Sequence, residues 1–219
     1  MPPKIQLALD LLDANKAFAI ALFAAPYVDI IEAGTPLIKS VGIGIVTRLK
    51  NAFPDKIVLA DTKTSDVGAF EANMAFMAGA DIVTTQGITT LATIEAVQKE
   101  ADRWSRRAEV DMTGVADPVA RAKECQMLGV SLVLYHRSID EEISRGAAWD
   151  ETAVRTVQGM CNLGLDVAIA GGVNPTIFPF LRHIPLYTVI IGRGITAQSD
   201  PATAASAIRQ QISQNWTDD

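Results

Sequence analysis

The chain has 219 residues, 49% of them hydrophobic and 20% charged, which is enough apolar material for one large domain. Its formal net charge of −6 argues against a nucleic-acid-binding protein, because such a protein needs a basic face. No apolar run approaches membrane-spanning length, and Met1-Pro2-Pro3-Lys4 lacks the pattern of a signal peptide. Cys125 and Cys161 have no metal-ligand spacing, which indicates free thiols in a cytoplasmic protein. We therefore expect neither a membrane nor a nucleic acid as a partner.

Short apolar runs alternate with longer amphipathic stretches along the whole chain. The runs predict strands at Ile5–Leu9, Val28–Ile31, Ile57–Ala60, Asp81–Thr85, Glu109–Met112, Leu132–Tyr135, Asp166–Ala170 and Thr188–Ile191. The stretches between and after them predict helices at Leu12–Ala25, Leu37–Phe53, Ala69–Ala78, Thr90–Ala101, Pro118–Leu128, Glu151–Leu163, Pro175–Leu181 and Pro201–Ser213.

Strict alternation of strands and helices indicates a parallel sheet with right-handed crossovers. Eight such units predict a closed (β/α)8 TIM barrel, formed by residues 1–219 as a single domain. A flavodoxin-like or Rossmann sheet is the alternative. It is disfavoured because no Gly-x-Gly-x-x-Gly follows the first predicted strand.

Each predicted strand is followed by residues that can carry chemistry. In barrel enzymes the active site lies at the carboxyl ends of the strands. In chain order the residues there are Asp10, Glu32, Asp61 with Lys63, Gln86, Asp111, His136, Gly171-Gly172 and Gly192-Arg193. Polar loop residues would explain one or two of these positions, but they explain the whole set poorly.

The third strand end has the most distinctive sequence, since the apolar run from Ile57 ends abruptly in Asp61, Lys63 and Asp66. Asp61 and Lys63 are two residues apart, so on an extended backbone their side chains point to the same side. A buried carboxylate and ammonium must be paired, bound to a metal or engaged with a ligand. A surface ion pair remains the alternative at this stage.

The last two strand ends, Gly171-Gly172 and Gly192-Arg193, predict a phosphate site. Barrels often bind phosphate with the loops after strands seven and eight. Glycines let backbone N–H groups approach the anion, and an arginine can donate two parallel hydrogen bonds to it. Simple turn glycines are the alternative.

Glu32 and Asp61 end neighbouring strands, with Asp10 close by, and this oxygen-rich set suits Mg²⁺. The alternative is a group of carboxylates that Lys63 alone neutralises. Zinc is disfavoured, because only His136 is placed to supply an imidazole. A metal, a lysine and a phosphate site together suit a phosphosugar that reacts through an enediolate, with His136 or Asp111 handling protons.

These residues also carry a family resemblance. Asp61-x-Lys63-x-x-Asp66-x-Gly68 resembles the Asp-x-Lys-x-x-Asp signature of the orotidine 5′-monophosphate decarboxylase suprafamily. The glycine-rich ends, Asp10 and the run from Val28 to Thr35 resemble its branch of 3-hexulose-6-phosphate synthases and 3-keto-L-gulonate-6-phosphate decarboxylases.

The resemblance implies a homodimer of barrels with shared active sites. It implies that Glu32 and Asp61 bind Mg²⁺, that Lys63 stabilises the enediolate, and that Asp66 reaches into the partner's site. It also implies that the substrate is held by the remaining strand-end residues, which are Asp10, Gly171, Gly172, Gly192 and Arg193.

The two activities of the branch differ at few positions. Tyr135-His136-Arg137-Ser138, with Gly146 and Trp149 downstream, resembles the decarboxylases, whereas Asp111, Ile139 and Ala170 resemble the synthases. Ile139 replaces an arginine that serves the decarboxylases in proton delivery, and an apolar residue favours a drier pocket in which an enediolate can meet an aldehyde. We therefore expect the synthase reaction, with His136 moving the proton at C1 of ribulose 5-phosphate and Asp111 orienting substrate hydroxyls. The decarboxylase is the alternative, and a non-catalytic phosphosugar-binding barrel is a remote one.

Overall fold

The structure is a computed structural model, and it describes residues 1–145 and 149–216, so Gly146 lies outside the described residues. Its strands form a closed barrel in the order β1 to β8, in which each strand pairs in parallel with the next and β8 pairs with β1. This arrangement confirms the predicted (β/α)8 TIM barrel. Within the described residues, no helix is long and apolar enough to cross a membrane.

The strands and helices alternate along the chain. The strands are β1 (Lys4–Leu9), β2 (Ile30–Ala33), β3 (Ile57–Thr64), β4 (Ile82–Gln86), β5 (Arg107–Asp111), β6 (Leu132–His136), β7 (Asp166–Ala170) and β8 (Thr188–Ile191). The helices are α1 (Ala14–Ala24), α2 (Thr35–Val41), α3 (Gly44–Ala52), α4 (Gly68–Met77), α5 (Leu91–Arg103), α6 (Pro118–Met127), α7 (Ile139–Arg145), α8 (Glu151–Cys161), α9 (Phe178–Leu181), α10 (Arg193–Thr196) and α11 (Pro201–Asn215), with 3₁₀ turns at Ala25–Tyr27 and Pro175–Ile177.

Several helices begin where local chemistry favours a start. Asp117 and Asp200 each accept hydrogen bonds from backbone N–H groups of the first turn, and a proline follows each of them. A proline at this position loses no hydrogen bond and already has a helical φ. These caps explain why the predicted starts of α6 and α11 agree with the structure.

Three predicted elements differ from the structure. The helix predicted at Leu37–Phe53 is two helices, because Gly42 adopts φ +81° and ends α2. The strand predicted at Val28–Ile31 begins only at Ile30, since the Asp29 carboxylate accepts hydrogen bonds from the Ile5 N–H and from Arg209. The short helix α7 was not predicted, and its seven residues offer too little periodicity to detect.

The main core lies between the barrel and the surrounding helices. There the outward-facing strand residues pack against the apolar faces of the helices, for example Ile31, Val58, Val83 and Val133 with Leu49, Val97 and Val157. The barrel interior is filled separately, by side chains that the register places in alternating layers from even and odd strands. From the bottom upward these are Ile30, Ile82, Leu132 and Thr188; Gln6, Leu59, Glu109 and Ala168; Glu32, Thr84, Leu134 and Ile190; and then Ala8, Asp61, Asp111 and Ala170.

Glu109 is an unusual member of this interior, because its carboxyl group is almost completely buried and its Oε1 has no hydrogen-bond partner. Burial, and then repulsion from Asp111 and Asp61, raises the pKa of Glu109 to about 8. The folded chain therefore holds a proton at Glu109 at a pH where the unfolded chain has lost it. Stability from this group is present at low pH and is lost as the pH rises toward 8.

We predict that Glu109→Gln removes this pH dependence. In EDTA-treated protein, the free energy of unfolding of the wild type should fall by about 2–3 kcal/mol more than that of the variant between about pH 6 and about pH 9. Urea unfolding followed by circular dichroism measures the difference. Glu95→Gln, an exposed substitution on α5, is the matched control and should behave like the wild type. Parallel pH profiles for Glu109→Gln and the wild type would contradict the prediction.

Candidate active site

The end of β3 forms one side of the barrel mouth and holds Asp61 and Lys63. The pairing of β3 with β4 changes register between Ala60 and Thr64, and Lys63 has a left-handed backbone with φ +46°. This irregularity re-aims the Lys63 side chain, as strand bulges next to active sites commonly do. The two residues do share the mouth, with Lys63 Nζ 3.2 Å from Asp61 Oδ2, but not through the regular extended backbone that the spacing predicted.

Asp61 is held by hydroxyl groups on both of its carboxylate oxygens. Thr35 Oγ1 donates to Asp61 Oδ2 at 2.7 Å, and Thr84 Oγ1 donates to Asp61 Oδ1 at 2.7 Å. Thr84 Oγ1 also accepts from the Lys63 N–H at 2.9 Å, so one threonine fixes the position of both residues. The sequence analysis did not assign either threonine a role, although Thr35 lies in the segment that carried the family resemblance.

Lys63, Asp111 and His136 form a connected chain across the mouth. Asp111 Oδ2 lies 2.7 Å from Lys63 Nζ and 3.0 Å from His136 Nδ1. The other oxygen, Oδ1, accepts hydrogen bonds from the N–H and the hydroxyl of Thr113. Asp111 therefore orients both the ammonium and the imidazole. Its predicted contact with substrate hydroxyls stays a prediction.

Electrostatics keep this chain charged. Burial lowers the pKa of Lys63, but attraction to Asp61 and Asp111 outweighs burial and raises that pKa above its ordinary value. Burial raises the pKa of Asp111, but hydrogen bonds and charge from His136 and Lys63 outweigh it and hold that pKa well below the usual range. The mouth thus contains a permanently cationic Lys63 and an ionised, fully buried Asp111.

Glu32 and Asp10 add negative charge on the other side of the mouth. Glu32 is buried and accepts a hydrogen bond from Gln6 Nε2 at 2.6 Å, another contact that the sequence analysis missed. Burial, and then repulsion from Asp61 and Asp10, raises the pKa of Glu32 well above its ordinary value. A Cβ atom at Gly34 would lie 2.2 Å from Asp10 Oδ1, so a glycine is needed there to admit the Asp10 carboxylate.

The acidic side chains fit a loosely held divalent cation. In the part of the chain that the structure describes, no group of three or more His, Cys, Asp and Glu side chains is arranged to hold a metal. Glu32 and Asp61 nevertheless offer carboxylate oxygens, and their mutual repulsion is what a cation would relieve. Mg²⁺ is suited to such a set, because it commonly uses one or two carboxylates together with water and substrate oxygens.

The predicted phosphate residues lie at the neighbouring strand ends β7 and β8. Gly171 and Gly172 have positive φ values, +86° and +65°, in which a glycine is strongly preferred. Gly192 caps the short helix α10, and its Cα faces the Asp10 carboxylate, since a Cβ there would lie 3.9 Å from Oδ2. Arg193 is the first residue of that helix. The barrel thus brings these residues next to Asp10 and to the mouth.

Two predicted residues lie away from this cluster. Asp66 is exposed, and its Oδ1 accepts a hydrogen bond from the Val67 N–H of its own loop. Ile139 begins α7 and is 44% exposed, so in the single chain it does not close a dry pocket. The predicted role of each residue therefore depends on something beyond the single folded chain.

Comparisons with known proteins agree with this site. Residues 3–208 match the family described as orotidine 5′-phosphate decarboxylase / HUMPS. The chain is 38% identical over 203 residues to a 3-hexulose-6-phosphate synthase of Methylomonas aminofaciens, covering 93% of this chain and 96% of that one. It is 32% identical over 214 residues to a 3-keto-L-gulonate-6-phosphate decarboxylase of Salmonella typhi, covering 98% of both.

Among solved structures, the fold is similar to that of the 3-keto-L-gulonate-6-phosphate decarboxylase of Streptococcus mutans in complex with a phosphosugar. The TM-score is 0.94 at 32% identity, over 98% of this chain and 99% of that one. The match to the family model and the near-complete coverage of these relatives agree with the (β/α)8 barrel and the residues at its mouth. The chain belongs to the orotidine 5′-phosphate decarboxylase / HUMPS family.

Proposed function

We propose that the protein is a Mg²⁺-dependent carbon–carbon lyase that works on a phosphorylated sugar through a 1,2-enediolate. The leading reaction is that of 3-hexulose-6-phosphate synthase, the condensation of D-ribulose 5-phosphate with formaldehyde. The observation that carries the proposal is the chain in which Asp111 Oδ2 contacts both Lys63 Nζ and His136 Nδ1. In this chain a fixed cation and an imidazole lie side by side at the mouth of the barrel.

Lys63 suits the stabilisation of an enediolate. Its ammonium lies between the carboxylates of Asp61 and Asp111 and is about one quarter exposed, so it can reach a ligand in the mouth while staying charged. A preorganised cation of this kind stabilises negative charge as it develops on oxygen, without reorganising during the reaction.

His136 suits the proton transfers. With Nδ1 directed at the Asp111 carboxylate, Nε2 is the ring nitrogen left to act as a base toward C1 of ribulose 5-phosphate. The enediolate carbon then attacks formaldehyde to form the new carbon–carbon bond. The proton held by His136 returns to the oxygen that was the aldehyde carbonyl, so the reaction needs no further reactant.

Glu32 and Asp61 are the residues that would hold Mg²⁺. When bound, the ion would supply Lewis-acid polarisation of the sugar carbonyl. The chain's own part is to orient these two carboxylates, through Gln6 for Glu32 and through Thr35 and Thr84 for Asp61.

Decarboxylation of 3-keto-L-gulonate 6-phosphate is the second candidate, and the TM-score of 0.94 to the Streptococcus mutans enzyme favours it. The synthase is placed first because its curated relatives reach 38% identity against 32%, and because Ile139 cannot deliver a proton. Purified protein with Mg²⁺ should be assayed with ribulose 5-phosphate and formaldehyde, and in parallel with 3-keto-L-gulonate 6-phosphate. Predominant decarboxylation would reverse the ranking.

A homodimer is also proposed, because Asp66 stands beside an exposed apolar surface on α4 and the loop before it. Val67, Phe70 and Met77 are each more than half exposed there, and a surface of this kind commonly marks a protein–protein interface. Asp66 would then serve the site of the other subunit.

We predict that Lys63→Ala lowers turnover about 100- to 1000-fold while the sugar phosphate still binds, because the variant lacks the cation that faces the developing oxyanion. Steady-state rates and isothermal titration calorimetry measure the two effects. Lys99→Ala removes an exposed lysine on α5 and is the matched control. Unchanged turnover in Lys63→Ala would refute the mechanism.

Removal of divalent cations should lower the activity about 100-fold or more, and added Mg²⁺ should restore it. Glu32→Gln should need more Mg²⁺ for half-maximal activity and should bind Mn²⁺ more weakly in electron paramagnetic resonance titrations. Glu95→Gln should match the wild type in both measurements. Full activity of the wild type after exhaustive EDTA treatment would contradict the proposed cofactor.

A mixed-dimer experiment tests the shared site. Lys63→Ala and Asp66→Ala should each be inactive, yet a one-to-one mixture that exchanges subunits should regain about a quarter of the wild-type activity, since half of the dimers then contain one intact site. If Asp66 served its own subunit instead, the mixture would stay inactive.

A further inference from the structure

Two successive carbonyl groups in the loop after β7 are held by residues that follow β6. The Ala170 carbonyl accepts a hydrogen bond from the Arg137 N–H at 3.2 Å. The Gly171 carbonyl accepts one from the indole Nε1 of Trp149 at 2.8 Å. The second bond is made by a side chain from a distant part of the sequence, and the proposed mechanism does not use it.

These bonds fix the direction of two N–H groups. In a trans peptide the N–H points opposite to the carbonyl of the same unit. Both peptide units here are trans, so the Gly171 N–H and the Gly172 N–H point away from β6. On that side of β7 lies β8, whose end carries Gly192 and Arg193. The carbonyl contacts therefore turn two backbone donors toward the other half of the predicted phosphate site.

The loop has little freedom to adopt another orientation. A Cβ atom at Gly171 would lie 2.1 Å from the Arg137 carbonyl oxygen, so the loop is packed directly against the chain after β6. The first peptide unit is thus fixed by backbone alone. The second unit, which carries the Gly172 N–H, has Trp149 as the partner of its carbonyl.

Trp149 is itself held in place by aromatic and charged neighbours. Its ring meets Tyr135 edge-on at 5.6 Å between centroids, and the Arg137 guanidinium lies 5.6 Å from its centre. Such contacts favour one orientation of the ring. The indole N–H is therefore a fixed donor to the Gly171 carbonyl.

We propose that Trp149 is a positioning residue for the binding of the substrate phosphate. It acts through the Gly171 carbonyl, which sets the direction in which the Gly172 N–H meets the anion. This inference rests on the proposed function, in which the loop after β7 binds phosphate. It adds a residue that contacts no substrate atom but determines how strongly the phosphorylated substrate is held.

Trp149→Phe tests the proposal, because it keeps an aromatic ring and removes the N–H donor. The variant should bind inorganic phosphate about 5- to 10-fold more weakly in calorimetry, as expected for the loss of one hydrogen bond. The KM for ribulose 5-phosphate should rise by a similar factor, while kcat changes less than about twofold, since this interaction is the same in ground and transition states.

Trp104→Phe is the matched control within the same chain. The Trp104 indole also donates hydrogen bonds, to Glu100 and Asn73, but these lie on the exposed surface of α4 and α5. This variant should bind phosphate and substrate like the wild type. A loss of phosphate affinity in Trp104→Phe equal to that in Trp149→Phe would overturn the assignment.

A second replacement guards against a packing defect in the phenylalanine variant. β-(3-Benzothienyl)alanine at position 149 keeps the shape of the indole and replaces its N–H by sulfur. The same loss of phosphate affinity in this protein supports the role of the N–H, whereas wild-type affinity in it overturns that role. If the wild type itself fails to bind inorganic phosphate, the phosphate site is refuted, and the proposed function with it.

Discussion

One ammonium group holds the mouth of this barrel together. Lys63 Nζ lies within 3.2 Å of Asp61 and 2.7 Å of Asp111, and both carboxylates are buried. Without that cation, two ionised groups would face each other in a region where water screens them poorly. The charge of Lys63 therefore stabilises the folded site and, by the proposed mechanism, the reaction intermediate as well. Structure and chemistry depend on the same ion pairs.

Backbone strain positions this ammonium. Lys63 at φ +46° and Val67 at φ +47° both adopt left-handed conformations that cost non-glycine residues energy, most of all a β-branched one. They flank the segment that leads from the irregular end of β3 to the exposed Asp66. The hydrogen bonds of Thr84 and Thr35 on Asp61 hold one end of the segment, and the Val67–Asp66 contact holds the other. The strained backbone directs Lys63 inward and leaves Asp66 outward within one short loop.

The site can be divided into charged residues and the neutral residues that orient them. Asp61, Lys63, Asp111 and His136 could be found in the sequence, because charged groups at the ends of apolar strands need an explanation. Thr35, Thr84, Thr113 and Gln6 could not be found in the same way, since hydroxyl and amide groups are common at strand ends. Gln6 gave a weak signal, because it shares the inward face of β1 with Ala8. Its partner Glu32 lies on another strand, and only the register brings them together.

The sequence by itself determined the eight-unit barrel, the strands that end in acidic residues, and the glycine-rich pair of ends at β7 and β8. Apolar periodicity and strand-end chemistry are local properties, so they can be seen without knowing contacts. Only the tertiary structure decided that Lys63 leaves β3 through a bulge, that Asp111 joins Lys63 to His136, and that Trp149 holds the Gly171 carbonyl. Each of these features is a contact between side chains or backbone from distant strands and loops. It exists because closing the barrel fixes which residues share a height around its axis.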